Sequence, residues 1–562
     1  MKKAISIGIQ GFSALREQDC FFVDKTNFIK EWWENRDVVT LITRPRRFGK
    51  TLNMSMLECF FSNKYVNRAD LFEGLSIWQE EAYRKLQGSY PVIFLSFAAV
   101  KAGNLEDAKT QIKQEIARLY RENRNLMKED IFGEDERELY YQTTVKMDDV
   151  TAQDSLRNLS EWMERYYGKK VIILLDEYDT PMQEAYVQGY WDEFTAFVRS
   201  LFNASFKTNP YLERAIMTGI TRVSKESIFS DLNNLQVITT TSDLYADCFG
   251  FTESEVFHVL DEFGMGDKKN EVKQWYDGFT FGEHKDIYNP WSITNYLDKR
   301  KTYPYWASTS SNGLVSRLIR TASADVKEKM EDLLNGREIV VSFDEQIVYN
   351  QLDHNENAIW SLLLASGYLK VKHVDYRGIT REPWYTLDIT NIETLSMFTT
   401  MFQDWFQNQD ANYGYFMKAL INGDLEAMNY YMNKVALATF SYFDVGSGNG
   451  SDPEPERFYH GFVLGLIAER AGIYEIRSNR ESGFGRYDIM MIPQEREKYP
   501  AIIIEFKVCS RMKKETLEEA VQSALDQIVD KNYDAELLSQ GIAADRIRHY
   551  GFAFEGKRVL IG

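Results

Sequence analysis

The stretch from Val38 to Phe61, VVTLITRPRRFGKTLNMSMLECFF, constrains this chain more than any other. An apolar run ends at Gly49-Lys50-Thr51, and a helix-period run with Leu52, Met56 and Phe60 on one face follows. A strand that turns through a glycine into a helix is one βα unit, and such units build a parallel sheet covered by helices. The turn also has a chemistry of its own, because backbone N–H groups and the helix N-terminus converge there on an anion. Gly49 allows close approach, Lys50 brings a charge to the outer phosphates, and the Thr51 hydroxyl can ligate Mg²⁺. The first glycine of the G-x-x-x-x-G-K-[ST] pattern is missing, with Arg44 in its place. Taken alone, a GKT is more often a chance sequence at the start of a core helix than a working phosphate loop.

Three further apolar runs read as buried strands: PVIFLSF (91–97), VIILLDEYD (171–179) and RAIMTGI (214–220). Helical stretches such as Asn104 to Asn123 separate them. The second run ends in Asp176-Glu177, where a buried strand meets the edge of its sheet. One carboxylate there can hold a magnesium shell, and the next can orient or deprotonate an attacking water. A strand capped by solvated charges is the plainer account, but two such motifs in order, each on its own strand, favour a nucleotide site. After the third run, Thr218 is placed to sense a γ-phosphate and Arg222 to act like an arginine finger; a cap and a surface charge are the alternatives.

A length of 562 residues implies two to four domains, and 44% hydrophobic with 27% charged residues describes a folded globular chain. The net charge of −18 argues against non-specific nucleic-acid binding by the whole surface, so any such contact needs a local basic patch. Cys20, Cys59, Cys248 and Cys509 are scattered, which fits a reducing compartment and offers neither a zinc site nor a disulfide framework. No apolar segment follows Met-Lys-Lys and no run is long enough to span a membrane, so a cytoplasmic protein with no membrane partner is expected.

The expected division is a P-loop domain at 1–285, a helical lid or winged-helix-like middle region at 286–443, a linker at 444–456 and a last domain at 457–562. In the middle region, Glu356 to Ile389 reads as a helix closed by Gly367 and two strands joined by a turn near Asp375 to Gly378. A helix followed by a hairpin resembles a winged-helix element, and an ordinary α+β lid is the alternative. The linker, DVGSGNGSDPEPE, is rich in Gly, Ser, Asp and Pro.

In the last domain, GFGRYDIMMI (483–492) and AIIIEFKVC (501–509) read as neighbouring strands. Residues two apart share a face, so Glu505 and Lys507 project together, Phe506 packs on the other side, and Asp488 meets them from the adjacent strand. Two carboxylates and a lysine at a sheet edge can bind Mg²⁺, position a water against a phosphodiester and stabilise the charge that develops. Gln527 on a downstream helix, and Glu456 or His460 on an upstream one, are candidates to complete the site. Arg477, Arg480, Arg486, Arg511, Lys513 and Lys514 cluster around these strands as a candidate phosphate patch, or as a solvated charge run.

The motifs FFVDKTNFI, LITRPRRFGKT, LLDEYDTP, TGITRVSKESIFSDLNN, WYDGFTF and YNPWS together resemble the AAA-ATPase-like proteins common in bacteria, over nearly the whole chain. The Pro-Arg-Arg-x-Gly-Lys-Thr loop is that family's form, which accounts for the missing glycine. The resemblance implies an α/β multidomain fold: a P-loop NTPase with a mostly parallel sheet, then a restriction-endonuclease-like α/β domain of the PD-(D/E)XK type. It implies ATP and Mg²⁺ as ligands, with nucleotide contacts from Arg46, Arg47, Phe48, Gly49, Lys50, Thr51, Leu52, Asp176 and Thr218. Metal would be held at Thr51 and Asp176 and again at Asp488 and Glu505, with Glu177, Arg222, Asp488, Glu505 and Lys507 in catalytic roles. Asp24-Lys25-Thr26 would lie near the nucleotide, or Asp24 or Thr26 would simply cap the helix carrying Trp32 and Trp33. The expected activity is ATP hydrolysis coupled to a Mg²⁺-dependent nuclease-like domain acting on nucleic acid, DNA before RNA, with a homo-oligomer left open. The rival is a nucleotide-gated switch whose nuclease-like domain only binds.

Overall fold

The computed structural model describes residues 3–128, 131–222, 228–229, 232–307, 313–334, 336–345, 349, 352, 355–407, 412–439, 463, 473–482, 485–509, 515–555 and 558–562. The chain forms two units, Met1–Thr321 with Asn335–Met397, and Ala322–Leu334 with Phe398–Gly562.

The first unit is built on five parallel strands: β1 (Val39–Thr43), β2 (Val92–Ser96), β3 (Val171–Asp176), β4 (Leu212–Gly219) and β5 (Leu235–Ile238). Their order is β2-β3-β4-β1-β5. Every residue of β1 and β3 is buried, as expected of strands covered on both faces. Because β4 lies between β1 and β3, its C-terminal end stands between the GKT turn and Asp176-Glu177. The covering helices have legible ends. Asn104 caps Leu105–Glu122 by accepting from the Asp107 N–H at 2.9 Å, and Gly168, at φ 68°, closes Asp149–Tyr167. The helix Lys50–Phe61 buries Met56 and Phe60 while Leu52 packs at the core margin. Around it, edge-to-face pairs such as Trp32–Phe61 and Phe60–Phe72, with centroids 5.7 and 5.1 Å apart, fill the core. Each fully buried ring of this kind contributes roughly 1.5–3 kcal/mol.

Two three-stranded sheets complete the unit. β6 (Phe251–Thr252), β7 (Phe279–Phe281) and β8 (His284–Tyr288) run in the order β6-β8-β7. β9 (Ile339–Val341), β10 (Leu369–Arg377) and β11 (Glu382–Ile389) run in the order β10-β11-β9. The helix Ala358–Ala365 precedes β10, and Gly367, at φ 81°, turns the chain out of it. A strand, a helix and a hairpin whose second strand returns beside the first strand is the winged-helix arrangement. The turn comes later than expected. The ladder continues to the pair Arg377–Glu382, so the loop is 378–381 rather than 375–378.

The second unit carries a mixed sheet of β12 (Tyr474–Ser482), β13 (Gly485–Pro493), β14 (Ala501–Val508), β15 (Ile547–Glu555) and β16 (Arg558–Ile561), in chain order. β14 and β15 are parallel, joined through the helix Leu517–Asp530, and the other pairs are antiparallel. Helices Asn412–Asn422 and Leu425–Thr439 pack on one face, where Phe416, Leu420, Met428 and Met432 meet Ile504, Phe506 and Phe552. Asn429 and Asn433 read the backbone of β16 as a further strand would. Each donates to a carbonyl (Ile561 at 2.8 Å, Val559 at 2.7 Å) and accepts from the same residue's N–H. This protects an edge that would otherwise pair with another chain. The region expected as one body at 286–443 is therefore divided: its last helices belong to the C-terminal sheet. The linker expected at 444–456 lies outside the described residues. Among the described residues, no helix is long and apolar enough to cross a membrane.

Candidate nucleotide and metal sites

The first site grows from the ends of β1, β3 and β4. Gly49, at φ 80°, starts the helix Lys50–Phe61, and a β-carbon placed on it would meet nothing within 4 Å. Its requirement is therefore conformational. Lys50 is 3% exposed, with its amine 3.0 Å from both the Arg44 and Pro45 carbonyl oxygens and 3.7 Å from Glu177 Oε1. A chain of hydrogen bonds then joins the helix Lys50–Phe61 to β3 and β4. The Thr51 hydroxyl donates to Asp176 Oδ2 at 2.8 Å, and the Thr218 hydroxyl to Oδ1 at 2.6 Å. Burial, and then the neighbouring Glu177 carboxylate, push the Asp176 carboxyl above its usual range, against the pull of those two hydroxyls and Lys50. Glu177 itself sits at φ 54°, a conformation that costs a non-glycine residue energy and that clusters at functional sites.

Several expected contacts are placed elsewhere. Arg44, the residue in the missing glycine's position, is fully buried. It donates to the carbonyls of Thr43 and Thr239 at 3.0 and 2.7 Å and stacks on Phe281 at 4.4 Å. Burial lowers its pKa to about 9. It therefore braces the loop from behind and adds no charge at the phosphate face. The Phe48 ring is in the core between Phe279 and Phe281, so only its backbone belongs to the loop. Arg47, at φ 66°, lies over Trp291. Arg46 is half-buried beside a cavity of about 30 Å³ lined also by Gln183, Ile220, Thr221 and Trp306.

Asp24 accepts from Thr26 and Ser76 on both oxygens. Burial opposes ionisation there, but these bonds hold its pKa below the usual range. Lys25 pairs with Glu255 at 2.7 Å. Thr26 occupies the N-cap position of Asn27–Asn35 without a capping bond, so the DKT segment ties that helix to the Ser76 turn.

Two residues that the sequence did not single out hold the turn after β4. Asp179 Oδ2 accepts from the Ile220 N–H (2.9 Å), the Thr221 N–H (2.7 Å) and the Thr221 hydroxyl (2.7 Å). The Tyr178 hydroxyl donates to the Thr221 carbonyl at 2.7 Å. Half-buried Arg222 leaves from that turn, so the DEYD and TGITR segments form one assembly. The available signal was the second Asp of DEYD, three residues after Asp176.

The second site lies where β13 and β14 part. Beyond the last registered pair, Ile489–Ile504, the Asp488 carboxylate replaces a ladder partner and accepts from the Phe506 N–H at 2.8 Å. Glu505, 2% exposed, accepts a long bond from the Asp488 N–H at 3.4 Å. Lys507 lies 3.7 Å from Glu505 Oε1 and donates to Gln527 Oε1 at 2.7 Å, while the Gln527 amide also donates to Glu505 and, at 3.1 Å, to the Tyr533 hydroxyl. Phe506 points into the opposite core, as the alternation predicts. Gly551, registered opposite Glu505, lets the helix carrying Gln527 approach: a β-carbon there would stand 2.7 Å from the Val521 carbonyl oxygen. Tyr533 joins this cluster through Gln527, and the sequence reading did not single it out.

Of the expected basic patch, Arg477 is spent on Glu475 and Glu536. The side chains of Arg480 and Arg486, and residues Arg511, Lys513, Lys514, Glu456 and His460, lie outside the described residues.

Residues 6–229 match the family model described as Predicted AAA-ATPase, and residues 454–562 match the PD-(D/E)XK nuclease superfamily. The chain is also 27% identical over 399 residues to an uncharacterized protein in the vnfD 5' region of Azotobacter chroococcum mcd 1, covering 70% of this chain and 68% of that one.

Proposed function

From a chain that joins an AAA-ATPase-like domain to a PD-(D/E)XK nuclease-superfamily domain, we propose an ATP-binding P-loop ATPase coupled to a Mg²⁺-dependent nuclease-like domain acting on nucleic acid, DNA before RNA. The observation that carries the first half is the Thr51–Asp176–Thr218 hydrogen-bonded chain, with Lys50 beside Glu177. A hydroxyl and a buried carboxylate 2.8 Å apart, crowded by a second carboxylate, are a donor set suited to Mg²⁺. Thr51 and Asp176 would hold the ion, which neutralises phosphate charge when bound. Lys50 would bind the outer phosphates, Glu177 would take the proton of the attacking water, Thr218 would report on the last phosphate, and Arg222 would stabilise the charge on it. In the second half, Asp488 and Glu505 would hold a divalent cation, and Lys507, oriented by Gln527, would stabilise the phosphodiester as it is cut. Four buried cysteines without disulfides suit a reducing, cytoplasmic setting.

A nucleotide-gated switch with little turnover is the second reading. Its support is the Lys50 amine, which is satisfied by two carbonyls of its own loop. The ATPase rate with and without DNA or RNA separates them: measurable, nucleic-acid-dependent turnover supports the first reading, and binding without turnover supports the second.

A further inference from the structure

The helix Ala358–Ala365 stands where a winged helix places its groove-reading helix, but Ile359, Trp360, Leu362, Leu363 and Leu364 are all buried. That helix is unable to enter a groove. What the element leaves exposed is its hairpin. The base is anchored by Leu369, Leu387 and Ile389, whereas every residue from Asp375 to Glu382 is exposed. The three outer pairs of the ladder, Asp375–Trp384, Tyr376–Pro383 and Arg377–Glu382, give the hairpin a reach of roughly 10 Å before the loop.

The tip has an unusual composition for an acidic chain. Ile379 is fully exposed and Tyr376 is 63% exposed. Arg377 stacks on Trp384 at 4.3 Å and Arg381 on Tyr376 at 5.4 Å, and among the described residues neither guanidinium has a carboxylate partner. The two nearby carboxylates are engaged elsewhere, Asp375 with His373 at 3.0 Å and Glu382 with the Ser342 hydroxyl at 2.6 Å. A guanidinium stacked on a ring keeps its N–H edge outward, in the geometry that forks onto phosphate. Proteins that enter the minor groove combine basic side chains with an inserted apolar one that wedges base steps apart, and the tip offers both.

We propose that the β10–β11 hairpin is a DNA-binding arm that enters the minor groove of duplex DNA, with Arg377 and Arg381 on the phosphates and Ile379 as the wedge. This rests on the reading that the chain acts on nucleic acid, and it names duplex DNA as the substrate class and the first unit as its holder. The arm binds without metal, so its test is separable from cleavage.

The test uses the full chain in EDTA with a fluorescent 30-base-pair duplex, by anisotropy across a salt series. Arg377→Ala/Arg381→Ala should weaken binding at least tenfold and flatten the salt dependence by about two ions, while Lys101→Ala/Lys146→Ala, an equal loss of exposed charge, should change it less than threefold. Ile379→Ser should keep the salt slope but lose the DNA bend read by energy transfer between labelled ends. Parent-like affinity and slope in the double arginine variant overturn the proposal and leave the tip to a protein partner. Equal competition by single-stranded DNA also overturns it. Cleavage in Mg²⁺, measured separately, bears on the C-terminal site alone.

Discussion

A β-carbon on Gly219 would stand 2.6 Å from Asp179 Oδ1 and 2.7 Å from the Tyr178 ring. The ends of β3 and β4 are therefore interlocked, and the Asp179 oxygen facing the glycine has no hydrogen-bond partner among the described residues. Gly219→Ala must push apart the assembly that positions Arg222. Overpacking of this kind costs ~1–3 kcal/mol. ATP hydrolysis should fall about tenfold or more while ATP affinity stays within about threefold, by analogy with other positioning losses near a catalytic group. Turnover assays and calorimetry check this, and an unchanged rate would show that the turn has no part in hydrolysis.

Lys50→Ala and Glu177→Gln should separate binding from chemistry. Removing the amine deletes a charge-assisted contact worth roughly 1.5–3 kcal/mol, so tight ATP binding should be lost. The Gln variant keeps its shape, so binding should persist as hydrolysis stops. Calorimetry on both variants decides: unaltered affinity in the first, or lost affinity in the second, assigns the residue a different role.

At the C-terminal site, Asp488→Ala removes an oxygen ligand and should weaken Mg²⁺ or Mn²⁺ binding, whereas Lys507→Ala should spare metal binding and lower the cleavage rate. Gln527→Ala frees Lys507 from its 2.7 Å partner and should produce a milder version of the lysine phenotype. All three variants should keep ATP binding intact, since these changes lie in the second unit and the nucleotide site in the first. Incubation with single- and double-stranded DNA and RNA is the assay, and cleavage equal to the parent in all three variants would mean that other residues do the cutting.

Glu393 is fully buried, accepting from the Trp306 N–H at 2.6 Å and the Ser292 hydroxyl at 2.8 Å. Burial raises its pKa from 4.5 to about 7, against those bonds. A raised carboxyl pKa contributes stability that is full below the unfolded value and lost as pH rises through the folded one. Between pH 4.5 and 7 the loss should be on the order of 3 kcal/mol. Glu393→Gln keeps an acceptor for Trp306 and a donor for Ser292, so its melting temperature should fall less than the parent's between pH 5 and 8. Identical slopes in thermal melts would mean that another group titrates.

Much of the geometry of both candidate sites was legible in the chain. Gly49-Lys50-Thr51 after β1, Asp176-Glu177 after β3, and Asp488 with Glu505 and Lys507 on adjacent strands follow from local patterns. Apolar runs mark buried strands, and the two-residue alternation sends Phe506 one way and its neighbours the other. The same local logic placed Asn104 and Gly367 at helix ends.

What the tertiary structure alone decided are contacts between residues far apart in sequence. Arg44 stands where the pattern has a glycine, and only the arrival of Phe281 and the Thr239 carbonyl makes it a buried brace. Asp179 acquires its task from a turn some forty residues on, and Gln527, already a candidate from its downstream helix, meets Lys507 through the register of that helix on β14. Asn429 and Asn433 acquire their partners only when β16 lies beside them, and the helix Leu425–Thr439 falls in the C-terminal unit. Period and composition encode which face of an element is buried. They do not encode against what, because partner and register are settled by packing over the whole fold.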